Sequence, residues 1–233
     1  MISVIKREKE IEPGLDCIIV RVMTDKKGYA AEISRRLKKL YPDAHVELDY
    51  SNAFELMIAS ILAAQNTDVN INRLTPVLFR KYRGPEDYLK VPAAELEQDI
   101  HKSGFFRQKT KSIQAICKRL VEDFGGQVPK TMEEMLSLPG IGRKTANVVL
   151  GNALGVVEGI VVDTHNIRLA GRLGLSDQKT ADKIERDLME IVPKKDWVMF
   201  SHWITWHGRR VCKARLPKCA ECVLNDICPS SMV

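Results

Sequence analysis

Four cysteines near the end of the chain have a spacing that suits one metal centre. Cys212, Cys219, Cys222 and Cys228 read C-x6-C-x2-C-x5-C within seventeen residues. The chain starts MISVIKREKEIEPG, without the basic start, apolar stretch and small-residue cleavage site of a secretory signal. A cytoplasmic location is therefore expected, where thiols stay reduced or bind metal rather than pairing as disulfides. Four soft thiolates suit either Zn²⁺ or an iron–sulfur cluster, and ordinary buried cysteines rarely bunch this way. Zinc ribbons usually carry two C-x2-C pairs and only one is present here, which tilts the choice toward a cluster. Cys17 and Cys117 stand apart, and Cys117 lies on the apolar face of its helix as a core thiol would. Between the first two ligands sit Lys213, Arg215 and Lys218. A metal-clamped loop carrying three cations could grip phosphates, while charge alone equally allows a solvated basic loop.

A second constellation lies mid-chain. Leu138-Pro139-Gly140-Ile141-Gly142 follows a short capped helix and opens an apolar one. Two glycines one residue apart let the backbone turn tightly and approach a ligand closely. The unpaired amides of such a turn, with the dipole of the next helix, can hold a phosphate oxygen without any side chain. Lys144 follows in the first turn of that helix, where the positive dipole end disfavours an ammonium and burial would disfavour it further. A lysine in that setting is a candidate nucleophile able to form a Schiff base. Asp163 comes nineteen residues later, after an apolar run and at a helix start, in Val-Val-Asp-Thr-His. Its carboxylate could cap that helix, or it could face Lys144 and take up the lysine's proton or stabilise positive charge on a sugar. Periodicity does not place the two together.

Helices must position these groups. Residues 28–41 put Ala30, Ile33, Leu37 and Leu40 on one stripe, and residues 53–64 are apolar nearly all round, with Asn52 and Glu55 at capping positions. Further helices are predicted over 92–102, 106–123, a short segment after Thr131, 143–154, 164–173, 180–192 and 197–207. Asp16–Met23 reads equally as a short strand or a helical turn. The fold class is all-α. The 233 residues carry a net charge of +6 and are 45% hydrophobic, enough for a proper core and favourable to an anionic partner. No run of 18 apolar residues exists, so no membrane span is expected.

Taken in order, Ala64-Gln65-Asn66-Thr67-Asp68, LPGIGRKTANVVL at 138–150, VVDTH at 161–165, His207-Gly208 and the four cysteines resemble the endonuclease III family of helix-hairpin-helix DNA glycosylases. The resemblance covers about residues 45–228. It implies two α-helical domains with a DNA cleft between them: a six-helix barrel over 46–156, and a discontinuous domain from 1–45 and 157–233. Residues 1–25 are an extension of unassigned role. It implies Lys144 as nucleophile, Asp163 as catalytic aspartate, the four cysteines as ligands of a 4Fe–4S cluster, and Gln65 as the residue filling the gap left by an extruded nucleotide. Gly104-Phe105-Phe106-Arg107 replaces the aliphatic wedge loop of the family, and alignment of the glycine makes Phe105 the inserting residue. The implied activity is removal of oxidised or ring-saturated pyrimidines, followed by strand cleavage through β-elimination. The expected partner is duplex DNA carrying damaged bases or abasic sites, bound by a monomer. An adenine-mismatch glycosylase would lack a lysine at 144 and carry a further C-terminal domain; a non-catalytic DNA-binding module would use the hairpin alone.

Overall fold

The computed structural model describes residues 25–233, so Asp16–Met23, Cys17 and the first 24 residues lie outside it. Among the described residues all regular structure is helical. The α-helices are α1 (Lys26–Leu40), α2 (Ala53–Leu62), α3 (Asp68–Lys81), α4 (Pro85–Lys90), α5 (Ala93–Asp99), α6 (Phe106–Phe124), α7 (Met132–Ser137), α8 (Arg143–Ala153), α9 (Thr164–Arg172), α10 (Ala181–Ile191) and α11 (Trp197–Arg210). Short 3-10 turns cover His101–Ser103, Lys194–Asp196 and Cys219–Glu221.

Two apolar cores divide the chain. The first gathers α2, α6, α7 and α8 around Leu56, Ile58, Ile113, Ile116, Val149 and Leu150. Helix α2 is its axis, with Leu56, Met57, Ile58, Ala59 and Leu62 fully buried, as a helix apolar on every side demands. Asn52 accepts from the Glu55 N–H and starts α2; the Glu55 carboxylate reaches back to the Ser51 N–H at 2.6 Å. Cys117 is buried in this core, where desolvation pushes its thiol up to about 12. That is the behaviour of a packing residue and not of a ligand.

The second core joins chain segments far apart in sequence. Ile33 and Leu37 of α1 meet Leu169, Ile184, Phe200, Trp203 and, near the C-terminus, Leu224. Tyr29 donates from its hydroxyl to the Ile227 carbonyl at 3.0 Å, and Arg36 pairs with Asp226, so α1 is bolted to the cysteine-bearing segment.

Several predictions about α-helices need amendment. Helix α1 starts at Lys26, capped by Asp25, rather than at 28, and Leu40 is exposed because Tyr29, Ile33 and Leu37 form the buried stripe. The segment 92–102 breaks at Asp99 into a separate 3-10 turn. Helices α3 and α4 were not foreseen; Pro76 inside α3 removes one N–H, yet Ile71, Thr75 and Leu78 bury the helix firmly.

Candidate active site and cysteine cavity

The hairpin turn follows from its own residues. Thr131 caps α7 through the Glu134 N–H, and the helix ends at Ser137. Pro139 and Gly140 then fill the central positions of a turn closed by Ile141 N–H to Leu138 C=O at 3.2 Å. Gly140 has φ +80°, which a type II turn requires at that position. Gly142, at φ −93°, is the N-cap of α8 and supplies no side chain. Its φ does not require glycine, and a Cβ built there would meet nothing within 4 Å. Asn52, Thr67, Thr131 and Asp163 each cap their helices by side chain, whereas α8 begins uncapped beside an exposed turn. Helices α4, α5, α6, α10 and α11 likewise start without a side-chain cap.

Lys144 and Asp163 line one cleft of about 580 Å³, together with Gln65, His45, Glu47, His165, Trp206 and Arg209. Lys144 is exposed at the cleft, so the burial that would have disfavoured its charge further does not apply. Asp163 caps α9 and lines the same cleft as Lys144. Its Oδ1 accepts from the His165 N–H at 2.8 Å, the Asn166 N–H at 2.9 Å and the Asn166 amide at 3.1 Å, which starts α9. Oδ2 has no partner among the described residues. Burial works to raise this carboxyl, but the Asn166 donors, His165 and Lys144 outweigh it and hold it below the usual carboxylate range. A carboxylate fixed through one oxygen and open at the other can accept a proton or face a developing cation.

The cleft wall carries groups that the sequence did not single out. Arg209, at the end of α11, pairs with Glu47 and, at 2.8 Å, with Asp68. Trp206 donates to the His45 carbonyl at 3.1 Å and is covered by the Arg210 guanidinium, 3.6 Å from its ring centre. Gln65 is exposed with φ 55°, and Phe105 is exposed with φ 48°, both left-handed and neither glycine. Phe105 sits ahead of α6 and is not among the residues lining the cleft.

The four cysteines surround a separate cavity of about 70 Å³, bordered by Arg172 and His207. Among the described residues no three His, Cys, Asp or Glu side chains close on a single-ion site. Hydrogen-bonding groups reach three of the four sulfurs, and the Cys228 thiol donates to the Arg172 carbonyl at 3.8 Å. Arg172 donates to Cys212 Sγ at 3.3 Å, the Leu224 N–H to Cys222 Sγ at 3.4 Å, and His207 Nε2 lies 3.3 Å from Cys222 Sγ. Burial raises the thiols of Cys222 and Cys228, each also feeling the charge of Cys212 and Cys219. The loop between Cys212 and Cys219 exposes Lys213, Arg215 and Lys218; Lys218 pairs with Glu221 at 3.1 Å, while Lys213 and Arg215 form no ion pair among the described residues.

Residues 58–194 match the HhH-GPD superfamily of base excision DNA repair proteins. Endonuclease III of Synechocystis sp. is 49% identical over 213 residues, 91% of this chain and 97% of that protein. The chain belongs to the endonuclease III family. It is a DNA glycosylase with lyase activity at abasic sites, working in base excision repair on DNA. Two solved structures share the fold. A non-covalent endonuclease III–DNA complex superposes with a TM-score of 0.83 at 44% identity, covering 88% of this chain and 95% of that one. A trapped covalent endonuclease III–DNA intermediate gives 0.83 and 44% as well, covering 88% and 96%. Among the described residues no helix is long and apolar enough to cross a membrane.

Proposed function

We propose that Lys144 and Asp163 carry the chemistry of this endonuclease III-family enzyme on oxidised or ring-saturated pyrimidines, in the reducing setting of the cytoplasm and as a monomer. The observation that carries this reading is their meeting in one cleft, where the Lys144 charge helps to hold the Asp163 carboxyl low and Oδ2 is open. A base within a duplex shields its sugar, so the nucleotide must first be extruded, at a cost of a few kcal/mol. The exposed turn at Gly140 and Gly142, the uncapped start of α8, and Lys213, Arg215 and Lys218 bind phosphates on either side. Gln65 and Phe105 occupy the vacated space and slow re-stacking. The Lys144 amine attacks C1′ and displaces the base while Asp163 takes up its proton or steadies the sugar cation. The iminium so formed acidifies the C2′ proton, and β-elimination cuts the strand on the 3′ side.

The cysteine cavity fits a 4Fe–4S cluster. Four thiols around one cavity, with N–H donors to Cys212 and Cys222, suit such a group. Cys212, Cys219, Cys222 and Cys228 would hold it, and its role is to brace the basic loop against α1 and α9. Iron content near four per chain is expected, and stoichiometric zinc without iron in anaerobically prepared protein would contradict the assignment. The two cores support, over the described residues, a division of the chain at 46–156 against 1–45 and 157–233.

Borohydride trapping on duplex DNA with a damaged pyrimidine tests the chemistry. Wild-type protein should form a covalent complex, and Lys144→Gln should lose both that complex and base release while still binding DNA. A Lys144→Gln protein that traps at the normal rate would move the nucleophile elsewhere. Base release without trapping by the wild type would favour a glycosylase lacking the lysine chemistry, such as the adenine-mismatch branch.

A further inference from the structure

Lys109 is buried at 5% exposure in the first turns of α6, on the same face as Ile113, Ile116 and Leu120. A lysine in that place needs a reason, because burying an ammonium is costly unless it is well bonded. Its Nζ donates to the Leu62 carbonyl at 2.7 Å and to the Ser103 carbonyl at 2.7 Å. Leu62 ends α2, three residues before Gln65, and its carbonyl belongs to the negative end of that helix. Ser103 precedes Gly104-Phe105. One side chain thus ties the root of the Gln65 loop to the root of the Phe105 loop.

A second layer of bonds repeats the connection. The Asn66 amide donates to the Ser103 carbonyl at 2.7 Å and to the Lys102 carbonyl at 3.3 Å. Asn70 donates to Asn66 Oδ1 at 3.0 Å and to the Lys102 carbonyl at 2.9 Å, and Asn66 Oδ1 also takes the Thr67 N–H at 2.8 Å. Burial lowers the Lys109 ammonium from its ordinary range, so the carbonyls it meets are what keep a charged group there worthwhile. Gln65 and Phe105 are two of only three non-glycine residues with positive φ among the described residues. Each such backbone costs on the order of 1–3 kcal/mol and persists only where its surroundings over-determine it. Here the over-determining bonds are shared between the two strained residues.

We propose that Lys109, with Asn66 and Asn70, is a positioning residue that locks the Gln65 and Phe105 loops into a single insertion edge, so the two residues enter the DNA as a unit. This rests on the gap-filling reading of those residues given above. A unit of two cannot be half engaged: once either residue is truncated, the other is held in the strained geometry with less to do. The two truncations should then fall short of multiplying.

The test is a double-variant cycle on the full chain, using Gln65→Ala, Phe105→Ala and both together. Base extrusion is followed by the fluorescence of 2-aminopurine placed beside a damaged pyrimidine, with thermal melting recorded in parallel. Each single change should slow extrusion, and the double change should slow it less than the product of the singles, by at least about threefold. In a Lys109→Met background, and in the milder Asn66→Ala background should the first fold poorly, that coupling should vanish. If neither single change affects extrusion, the gap-filling reading fails and the proposal with it. If both slow extrusion but combine multiplicatively, gap filling stands and the joined edge is overturned. Coupling that survives intact in the Lys109→Met and Asn66→Ala proteins removes the network from the explanation.

Discussion

Replacing Glu185 by alanine tests how the hairpin helix is held in place. Glu185 is 3% exposed on α10, in the second core's half of the chain, yet its partners stand on α8. Its Oε2 accepts from Arg143 Nε at 2.6 Å and its Oε1 from the Asn147 amide at 2.8 Å. Lys144 lies between those two positions in sequence, so the carboxylate fixes the rotation of the helix that presents it. Breaking a buried pair by deleting one partner costs about 3–5 kcal/mol. The Arg143 side chain is 35% exposed and can return its charge to water, which discounts that figure. Asn147 cannot do the same: its Oδ1 already lacks a partner, and its amide would join it, at roughly 1–3 kcal/mol. A net loss of about 2–3 kcal/mol follows, equivalent to a drop in Tm of roughly 5–10 °C for a chain of this size. Thermal melts of Glu185→Ala, Arg143→Ala and the pair measure it, with a coupling of about 1 kcal/mol or more expected between them. Borohydride trapping at saturating abasic DNA should fall in Glu185→Ala at temperatures where it remains folded, with DNA affinity changing less. A loss below about 0.5 kcal/mol, or zero coupling with Arg143, would show that the bridge holds nothing.

The same network can be disturbed from its other side: a Cβ on Gly159 would clash with Glu185 Oε1 and with the Asn147 amide, so Gly159→Ala should lower the melting temperature in wild type and less in Glu185→Ala, where only Asn147 still obstructs it. Asp163→Asn should keep fold and affinity, since asparagine also caps helices, yet slow base release by orders of magnitude and abasic-site cleavage less, read by single-turnover assays. Lys213→Ala and Arg215→Ala should each flatten the salt dependence of DNA binding by about one unit of slope, while Lys218→Ala, whose charge already faces Glu221, should do less. Burial, with His45 nearby, pushes His202 from 6.5 down to about 4, its Nε2 facing Asn152 Oδ1 at 2.7 Å. The fold therefore holds it neutral: its contribution is complete above pH 6.5 and is lost as pH falls toward 4, at up to about 1.4 kcal/mol per unit. Urea midpoints across that window should slope less steeply for His202→Asn than for wild type.

What could be read from the sequence acts over a few residues. Asn52, Thr131 and Asp163 cap their helices through N–H groups two or three positions on, and Pro139-Gly140 close their own turn. Such signals need no knowledge of the rest of the chain. The cysteine cavity was legible for the same reason, its ligand positions lying within seventeen residues. Helix α3 was missed because Pro76 reads locally as a break; what sustains the helix is distant, Asn72 holding the Glu47 carbonyl and the Asp49 N–H across the chain. Lys109 and Glu185 did leave a trace, as charged residues beside or within apolar stripes that ought to exclude them. Each charge has a tertiary partner, Leu62 at 47 residues from Lys109 and Arg143 at 42 from Glu185, and no periodicity reveals them.

Those two buried charges share a logic that the groups proposed for catalysis do not. Lys144 is exposed and Asp163 has an open oxygen, as groups that must meet a substrate should be. An exposed lysine side chain has too many rotamers to aim itself, so its aim must come from the helix under it. Glu185 sets that helix from the far side of the cleft, and Lys109 sets the edge at Gln65 and Phe105 from beneath. A buried ion suits this task better than an apolar contact of equal area. An apolar side chain can slide along its neighbour at little cost, whereas a buried ion that leaves its partners stands uncompensated and forfeits several kcal/mol. Apolar replacements such as Lys109→Met therefore need not lower stability much to lower activity. What they should remove is the penalty for misalignment, and this separates a positioning charge from one that merely fills space.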